Sequence, residues 1–152
     1  MKTLVLTLTL LCSLNVHAVS WKVYGACDDK PLYQGEVRAN LQESVGDLSV
    51  KLFEANGIPY VGAAEGFNSI AGTMTGLDAI EVVSDTELRA YGWCYTVNGQ
   101  IPDQMPHEVK FAQQDARLDW FYAYSTNKNG EWMNDYCTPA YKIRAAQFCA
   151  AK

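Results

Sequence analysis

The sequence predicts an α+β fold in which one helix packs on a mixed sheet. Two extended segments near the start, 21–24 and 33–41, indicate an opening hairpin. A helix is predicted over 44–56, and two aromatic-rich strands follow it over 93–97 and 117–125. Strands on both sides of a single helix are typical of an α+β architecture.

The first 18 residues are predicted to be a cleaved signal peptide. Lys2 supplies a positive charge, 4–14 is an apolar run, and Val16-His17-Ala18 resembles a small-residue cleavage site. The apolar run is too short to span a membrane. We therefore expect an exported protein, periplasmic or extracellular, whose mature chain begins at residue 19.

The charge balance bears on the class of partner. The chain has 12 basic and 17 acidic residues, for a net charge of −5, and cleavage after Ala18 removes only Lys2 from this count. An acidic protein is repelled by phosphate backbones and by anionic lipids. We therefore expect no nucleic-acid partner and no membrane insertion, and a protein or small molecule as the unknown partner.

Four cysteines remain after cleavage: Cys27, Cys94, Cys137 and Cys149. An even number in an exported chain predicts two structural disulfides. No pair has C-x-x-C spacing, and His107 is the only mature histidine, so no metal site is expected.

The helix prediction over 44–56 depends on its ends and on one apolar face. Ser44 is a good N-cap, and Asp47 stands where a capping box has Glu or Gln. Gly57 can take the left-handed conformation that ends a helix, and Pro59 prevents its continuation. Four apolar residues recur at helical spacing and form one stripe: Val45, Leu48, Leu52 and Phe53.

Shorter elements are expected downstream of the helix. Regularly spaced glycines over 60–77 predict loops and short strands, and 79–83 is a predicted strand. Asn98-Gly99 is the strongest short turn signal in the chain. Asp115 marks a further turn before the last long strand.

The aromatic strands also resemble a known family. The run Gly92-Trp93-Cys94-Tyr95-Thr96-Val97-Asn98-Gly99 is followed by Leu118-Asp119-Trp120-Phe121-Tyr122. This pattern is similar to the transcobalamin C-terminal-like domain, a β-grasp-type module of exported bacterial proteins. The helix over 44–56 and the segment 66–70 stand where that family has its helix and following strand. Gln113-Gln114-Asp115-Ala116 departs from the family, which usually has a Gly-Asp-type turn before the last strand.

The resemblance implies a β-grasp-like mixed sheet over 19–126, with 127–152 as a C-terminal extension packed on the same domain. It also implies a carrier of a small ligand, for example a corrinoid such as cobalamin. Vitamin B12 carriers add a large helical domain that holds most of the ligand, and these 152 residues do not encode one. The resemblance therefore bears on the fold more than on a cofactor, and no cofactor is assigned.

The C-terminal extension is predicted to be helical. Thr138-Pro139 is a typical helix start, and a helix over 139–149 is expected. Such a helix would separate Cys137 and Cys149 by roughly 15 Å, whereas a disulfide needs Cα atoms within about 7 Å. Two pairings stay open: 27–137 with 94–149, or 27–149 with 94–137.

The sequence offers no convincing catalytic set. His107 lies in a loop, where a surface histidine is the ordinary interpretation. Asp119 with Glu65 or Glu81 could form a carboxylate pair, but 17 acidic residues make such pairs easy to propose. We therefore expect a protein that is not an enzyme.

The aromatic residues are the remaining candidates for function. Trp93 and Trp120 are expected in the core, because a sheet face under a helix needs large apolar residues. Trp132 and Tyr136 lie in a polar stretch outside the core strands, and with Tyr124 they form the predicted binding set. The sequence thus predicts an exported, non-enzymatic binding or interaction module. The alternatives are a small-ligand carrier and a small secreted enzyme or enzyme inhibitor.

Overall fold

The computed structural model describes residues 16–40, 42–112 and 115–149. These contain one α-helix, α1 (Val45–Ala55), and two short 3-10 helices, Gly76–Ala79 and Ala140–Lys142. The strands are β1 (Val16–Tyr24), β2 (Pro31–Asn40), β3 (Tyr60–Ala63), β4 (Gly66–Ile70), β5 (Ile80–Ser84), β6 (Glu87–Val97), β7 (Ala116–Lys128), β8 (Glu131–Trp132) and β9 (Thr138–Pro139). The α+β prediction is confirmed.

The main sheet is mixed and has the strand order β2-β1-β7-β6-β5. β1 and β2 form the predicted antiparallel hairpin, whereas β1 and β7 are parallel. The short strands β8 and β9 pair with β7, and β3 and β4 form a separate hairpin. The long strands β6 and β7 pair over the whole length of β6, so they form the centre of the sheet.

β1 begins upstream of the predicted cleavage position. Its pairing with β2 starts at Val16, whereas its parallel pairing with β7 starts at Val19. Cleavage after Ala18 would therefore keep every pair between β1 and β7. The apolar run 4–14 lies outside the described residues.

Helix α1 packs across the sheet as its apolar stripe predicts. Val45, Leu48, Leu52 and Phe53 are all buried, and they share one core cluster with Trp120. The Trp120 indole nitrogen donates to the Ser49 hydroxyl at 2.8 Å, and that hydroxyl donates to the Val45 carbonyl at 2.7 Å. The helix is thus fixed to β7 by both apolar contact and a buried hydrogen bond.

The start of α1 is held at three points. The Ser44 hydroxyl accepts from the Asp47 backbone N–H at 3.0 Å, as an N-cap does. The Val45 and Gly46 N–H groups donate to the carbonyls of Val109 and Pro106, which ties the loop after β6 to the helix. A Cβ at Gly46 would lie 2.0 Å from the Ala64 carbonyl oxygen, so the β3–β4 hairpin crosses the helix too closely for any other residue.

Two disulfides tie the C-terminal segment to the sheet. They join Cys27 to Cys149 and Cys94 to Cys137, which is one of the two pairings left open by the sequence. Disulfides of this kind indicate an oxidising, exported environment. No helix among the described residues is long and apolar enough to cross a membrane.

The helical part of the extension is shorter than the expected 139–149. Thr138–Pro139 is β9, which pairs with Ala123 and Tyr124 of β7. The 3-10 helix Ala140–Lys142 follows, and a separate turn then brings the Phe148 and Cys149 N–H groups to the Ala145 carbonyl. Pairing of Thr138–Pro139 with β7 thus replaces the helix start that the Thr-Pro sequence predicts.

The C-terminal segment covers parts of both sheet faces. Cys137 packs with Phe121 and Ala123 on the face opposite α1. Phe148, farther along, packs against Tyr91 with ring centroids 4.6 Å apart, on the same face as α1. The second apolar face of β7 is therefore covered by the Cys94–Cys137 disulfide region rather than by a C-terminal helix.

Candidate functional site

One stretch of the central sheet has small residues on the face opposite α1. The registers Gly92↔Ala123 and Ala90↔Ser125 place four small side chains next to one another on β6 and β7. Their neighbours in sequence, such as Tyr91 and Tyr122, are large and point to the other face, because successive side chains of a strand alternate. The sheet therefore has a flat floor made of Ala90, Gly92, Ala123 and Ser125.

Gly92 shows that the space above the β6 side of this floor is open, whereas Ala123 on the β7 side is covered by Cys137. An ideal Cβ built on Gly92 meets no atom within 4 Å, and the residue has ordinary strand geometry. A side chain at this position would therefore enter the space without a clash and without backbone strain. The glycine is tolerated here at a cost to strand stability of about 0.5–1 kcal/mol relative to alanine.

Two exposed aromatic residues border the floor. Trp132 of β8 lies directly opposite Asn127 of β7, so its side chain is on the same sheet face as those of Ala123 and Ser125. Its exposed fraction is 61%, and that of Tyr136 is 75%. With the Cys94–Cys137 disulfide they border an open cavity of about 400 Å³. We call this site the aromatic shelf, with floor Ala90, Gly92, Ala123 and Ser125 and walls Trp132 and Tyr136.

The walls of the aromatic shelf are anchored to β7. The Asp135 carboxylate accepts from the Thr126 N–H at 2.9 Å, and the Met133 N–H donates to the Thr126 carbonyl at 2.8 Å. The Thr138 hydroxyl donates to the Asp135 carbonyl at 2.7 Å. These bonds flank both aromatic residues, and the disulfide at Cys137 fixes the position next to Tyr136.

Tyr124 belongs to the site in a different way. It is one of the cavity-lining residues, but its ring lies 5.9 Å from that of Tyr91, and the Arg89 guanidinium lies 5.7 Å from its centroid. Tyr91 pairs directly with Tyr124, so both rings are on the α1 face. The structure thus brings Trp132 and Tyr136 together, whereas Tyr124 supports the floor from behind.

A larger cavity of about 830 Å³ adjoins the aromatic shelf. Tyr136 and Trp93 line both spaces, so the two are continuous along β6. Two acidic residues, Glu65 and Asp103, are the only charged residues among those lining the larger cavity. Its remaining lining comes from β4, β6, the loop 101–106, Trp120 of β7 and the segment 134–137.

Burial controls the ionisation of the tyrosines beneath these cavities. It raises the pKa of Tyr95 and of Tyr122 to about 12. Both hydroxyls therefore stay protonated near neutral pH and act as donors. Tyr95 donates to the Gln104 carbonyl at 2.7 Å, and Tyr122 donates to the Met74 carbonyl at 3.2 Å.

His107 and Asp119, two of the considered catalytic candidates, have separate environments. His107 is exposed in the loop after β6. Asp119 is buried on β7, where one carboxylate oxygen lies 2.8 Å from the Arg117 guanidinium and the other finds no hydrogen-bond partner within the described part of the chain. The described residues contain no group of three or more His, Cys, Asp and Glu side chains placed to hold a metal ion.

The other two carboxylates considered, Glu81 and Glu65, also have distinct positions. Glu81 accepts from the Tyr91 hydroxyl at 2.6 Å and from the Arg89 guanidinium at 3.0 Å, on the α1 face of the sheet. Burial and Glu81 together raise the pKa of Tyr91. Glu65 is exposed at the rim of the larger cavity. Asp119 shares the opposite sheet face with Phe121, so it does not form a pair with Glu81.

The floor of the aromatic shelf was not predicted from the sequence. Its signal is an alternation of small with large residues, Ala90-Tyr91-Gly92-Trp93 on one strand and Ala123-Tyr124-Ser125 on the next. Such alternation predicts that one face of a hairpin lacks side-chain bulk. Comparison of the chain with protein-family models and with curated proteins finds no match.

Proposed function

We propose that this chain is an exported, non-enzymatic binding module, periplasmic or extracellular, that holds its partner at the aromatic shelf. The observation that carries the proposal is the pair of exposed aromatic residues, Trp132 and Tyr136, beside an open floor of small residues. Large exposed aromatic side chains around a concave surface are typical of binding sites. Disulfide and backbone anchoring support it further, because a wall held in place loses little entropy on binding.

The lining indicates the kind of group that the shelf accepts. None of the residues lining the 400 Å³ cavity carries a charge. The floor is flat and small, and aromatic walls favour stacking on a planar or apolar group. A neutral, flat group of the partner, such as an aromatic side chain, therefore fits this site best.

The test is a capture experiment with matched variants. Residues 19–152 are immobilised, and bound material from the envelope of the exporting cell is quantified for wild type and for Trp132→Ala. We expect the variant to lose most of the capture while its free energy of unfolding changes by no more than about 0.5 kcal/mol, because the side chain is mostly exposed.

Val82→Ala is the matched control, since Val82 is an exposed apolar residue of β5 that does not line the shelf. It should capture as wild type does. Equal capture by all three proteins would contradict the proposal. A loss of stability in Trp132→Ala as large as that of a core truncation would assign Trp132 to packing.

A small-ligand carrier is the second candidate, and the adjoining cavity supports it. Its volume of about 830 Å³ lies within the range of about 300–1,000 Å³ that small-molecule sites occupy. Three aromatic core residues, Phe67, Tyr95 and Trp120, line it together with the half-buried Trp93. The family resemblance suggests a corrinoid, so a change in the visible absorption of cobalamin on mixing with the protein is the test. An unchanged spectrum at high protein concentration would reject cobalamin as the ligand.

A further inference from the structure

The outer edge of β6 has no partner strand over much of its length. β5 pairs with β6 only as far as Ala90, whereas β7 pairs with β6 on its other side as far as Val97. Among the described strands none pairs with the outer edge over 91–96; β4 passes nearby with Cα atoms within 8 Å of those of β6 but shares no ladder with it, and the isolated bridge Val97↔Gln100 closes the end of the edge. At about 3.4 Å per residue the open edge is about 20 Å long.

The direction of the free backbone groups follows from one hydrogen bond at the end of β6. The Asn98 N–H donates to the Arg117 carbonyl, toward β7, at 2.8 Å. Because the backbone groups of successive residues point to opposite sides, those of Thr96 and Cys94 also point to β7. The N–H and C=O groups of Tyr95 and Trp93 therefore point outward, where another strand would pair with them.

Cavities lie on both sides of this open edge. The aromatic shelf lies on one face, next to 90–94. A cavity of about 420 Å³ lies beside Tyr91 and Gly92 and is also lined by Phe67 and Asn68 of β4. The larger cavity of about 830 Å³ lies beside 93–95. An extended chain has side chains on alternate sides, so a strand added here would place them in these spaces in turn.

The charges around the edge indicate which kind of strand fits. Glu65 and Asp103 are acidic, and among the residues that the structure describes no basic side chain lines any of the three cavities. The whole chain has a net charge of −5. A segment that carries Lys or Arg is attracted to this edge, whereas an acidic segment is repelled.

We propose that the partner is a polypeptide, and that a basic, extended segment of it adds to the outer edge of β6 as a further strand. The outward backbone N–H and C=O groups of Trp93 and Tyr95 form hydrogen bonds with the main chain of the partner segment. The aromatic shelf receives an apolar or aromatic side chain of that segment, and Glu65 and Asp103 attract one of its cationic side chains. The proposal rests on the proposed function, because it names the partner of the aromatic shelf. A second copy of this chain is disfavoured at the edge, since both copies would bring the same two carboxylates.

The test begins with a displayed library of random peptides of about twelve residues, long enough to exceed the open edge. Selection on immobilised residues 19–152 should enrich peptides with an apolar or aromatic residue near Lys or Arg. A selected peptide is then synthesised with N-methyl groups at alternate backbone positions, in two versions offset by one residue. We expect one version to lose at least about tenfold in affinity and the other to bind within about threefold, because only one set of N–H groups faces β6.

Amide hydrogen exchange locates the bound peptide. In the free protein the N–H groups of Trp93 and Tyr95 should exchange faster than those of Cys94 and Thr96, and the peptide should slow the first pair by at least about tenfold. Equal loss of affinity in both N-methylated versions, or a selection that enriches no peptide, would overturn the proposal. Protection of Trp93 and Tyr95 by dimerisation alone would overturn it in favour of a second copy.

The two proposals fail in different ways. If Trp132→Ala abolishes capture but no peptide slows amide exchange at Trp93 and Tyr95, the aromatic shelf is supported as the binding site and the added strand is wrong. If a peptide protects these two amides and binds Trp132→Ala as tightly as wild type, the edge is a binding site and the aromatic shelf is not part of it.

Discussion

The hydrogen bond between Trp120 and Ser49 is the sharpest structural prediction, because it is the buried polar contact between α1 and the sheet. Ser49 is fully buried and Trp120 is 3% exposed, so water cannot replace either partner. Ser49→Ala removes the acceptor and leaves the indole N–H, which donates at 2.8 Å, without a partner. An unpaired buried donor costs about 1–3 kcal/mol, and the better helix propensity of alanine offsets up to about 0.5 kcal/mol of this.

We therefore expect Ser49→Ala to lower the free energy of unfolding by about 1–2 kcal/mol, measured by urea denaturation. Trp120→Phe in the same background supplies the control, since phenylalanine has no donor to leave unpaired. In the Trp120→Phe protein, Ser49→Ala should cost at least about 1 kcal/mol less than in wild type. An equal cost in both backgrounds would show that the bond does not stabilise the packing of α1.

Three further predictions concern the core, the tyrosines and the thiols. Leu52→Ala should cost about 2–5 kcal/mol in urea denaturation, because Leu52 is buried beneath α1, and a change below about 1 kcal/mol would be inconsistent with that packing. Folding raises the pKa of Tyr95 and of Tyr122 from 10 to about 12. The contribution of these two protonated hydroxyls to the free energy of unfolding is therefore complete below about pH 10 and is lost as the pH rises to about 12. The urea concentration at the midpoint of unfolding should fall across this interval. The mature chain, residues 19–152, should have no titratable thiol when denatured without reductant, and two or more thiols in material from its native compartment would disprove the disulfides.

Features set by local chemistry were predictable from the sequence. Helix α1 follows from the Ser44 cap, its apolar stripe and the stop at Gly57, all of which lie within a few turns of the chain. The turn at Asn98 and Gly99 has positive φ at both residues, as an Asn-Gly pair allows. The two pairings left open for the disulfides include the one observed.

Features set by distant contacts were not predictable in the same way. The Thr138-Pro139 signal predicted a helix, but pairing with β7 and the bond from Cys149 to Cys27 impose a different path. The floor of the aromatic shelf needs the register of β6 against β7, and its walls need the short strand β8. The polar stretch around Trp132 and Tyr136 singled out these two aromatic residues in the sequence, but it could not show that Tyr124 lies on the other face of the sheet.

Gly92→Val tests the central claim most directly, because it fills the aromatic shelf without removing any contact. The new side chain enters open space, and replacing glycine in a strand should raise the free energy of unfolding by about 0.5–1 kcal/mol. We predict that this variant, at equal or higher stability, loses capture of the envelope partner, and that Gly92→Ala loses less of it. Full capture by a folded Gly92→Val protein would contradict the claim that the partner binds at the aromatic shelf.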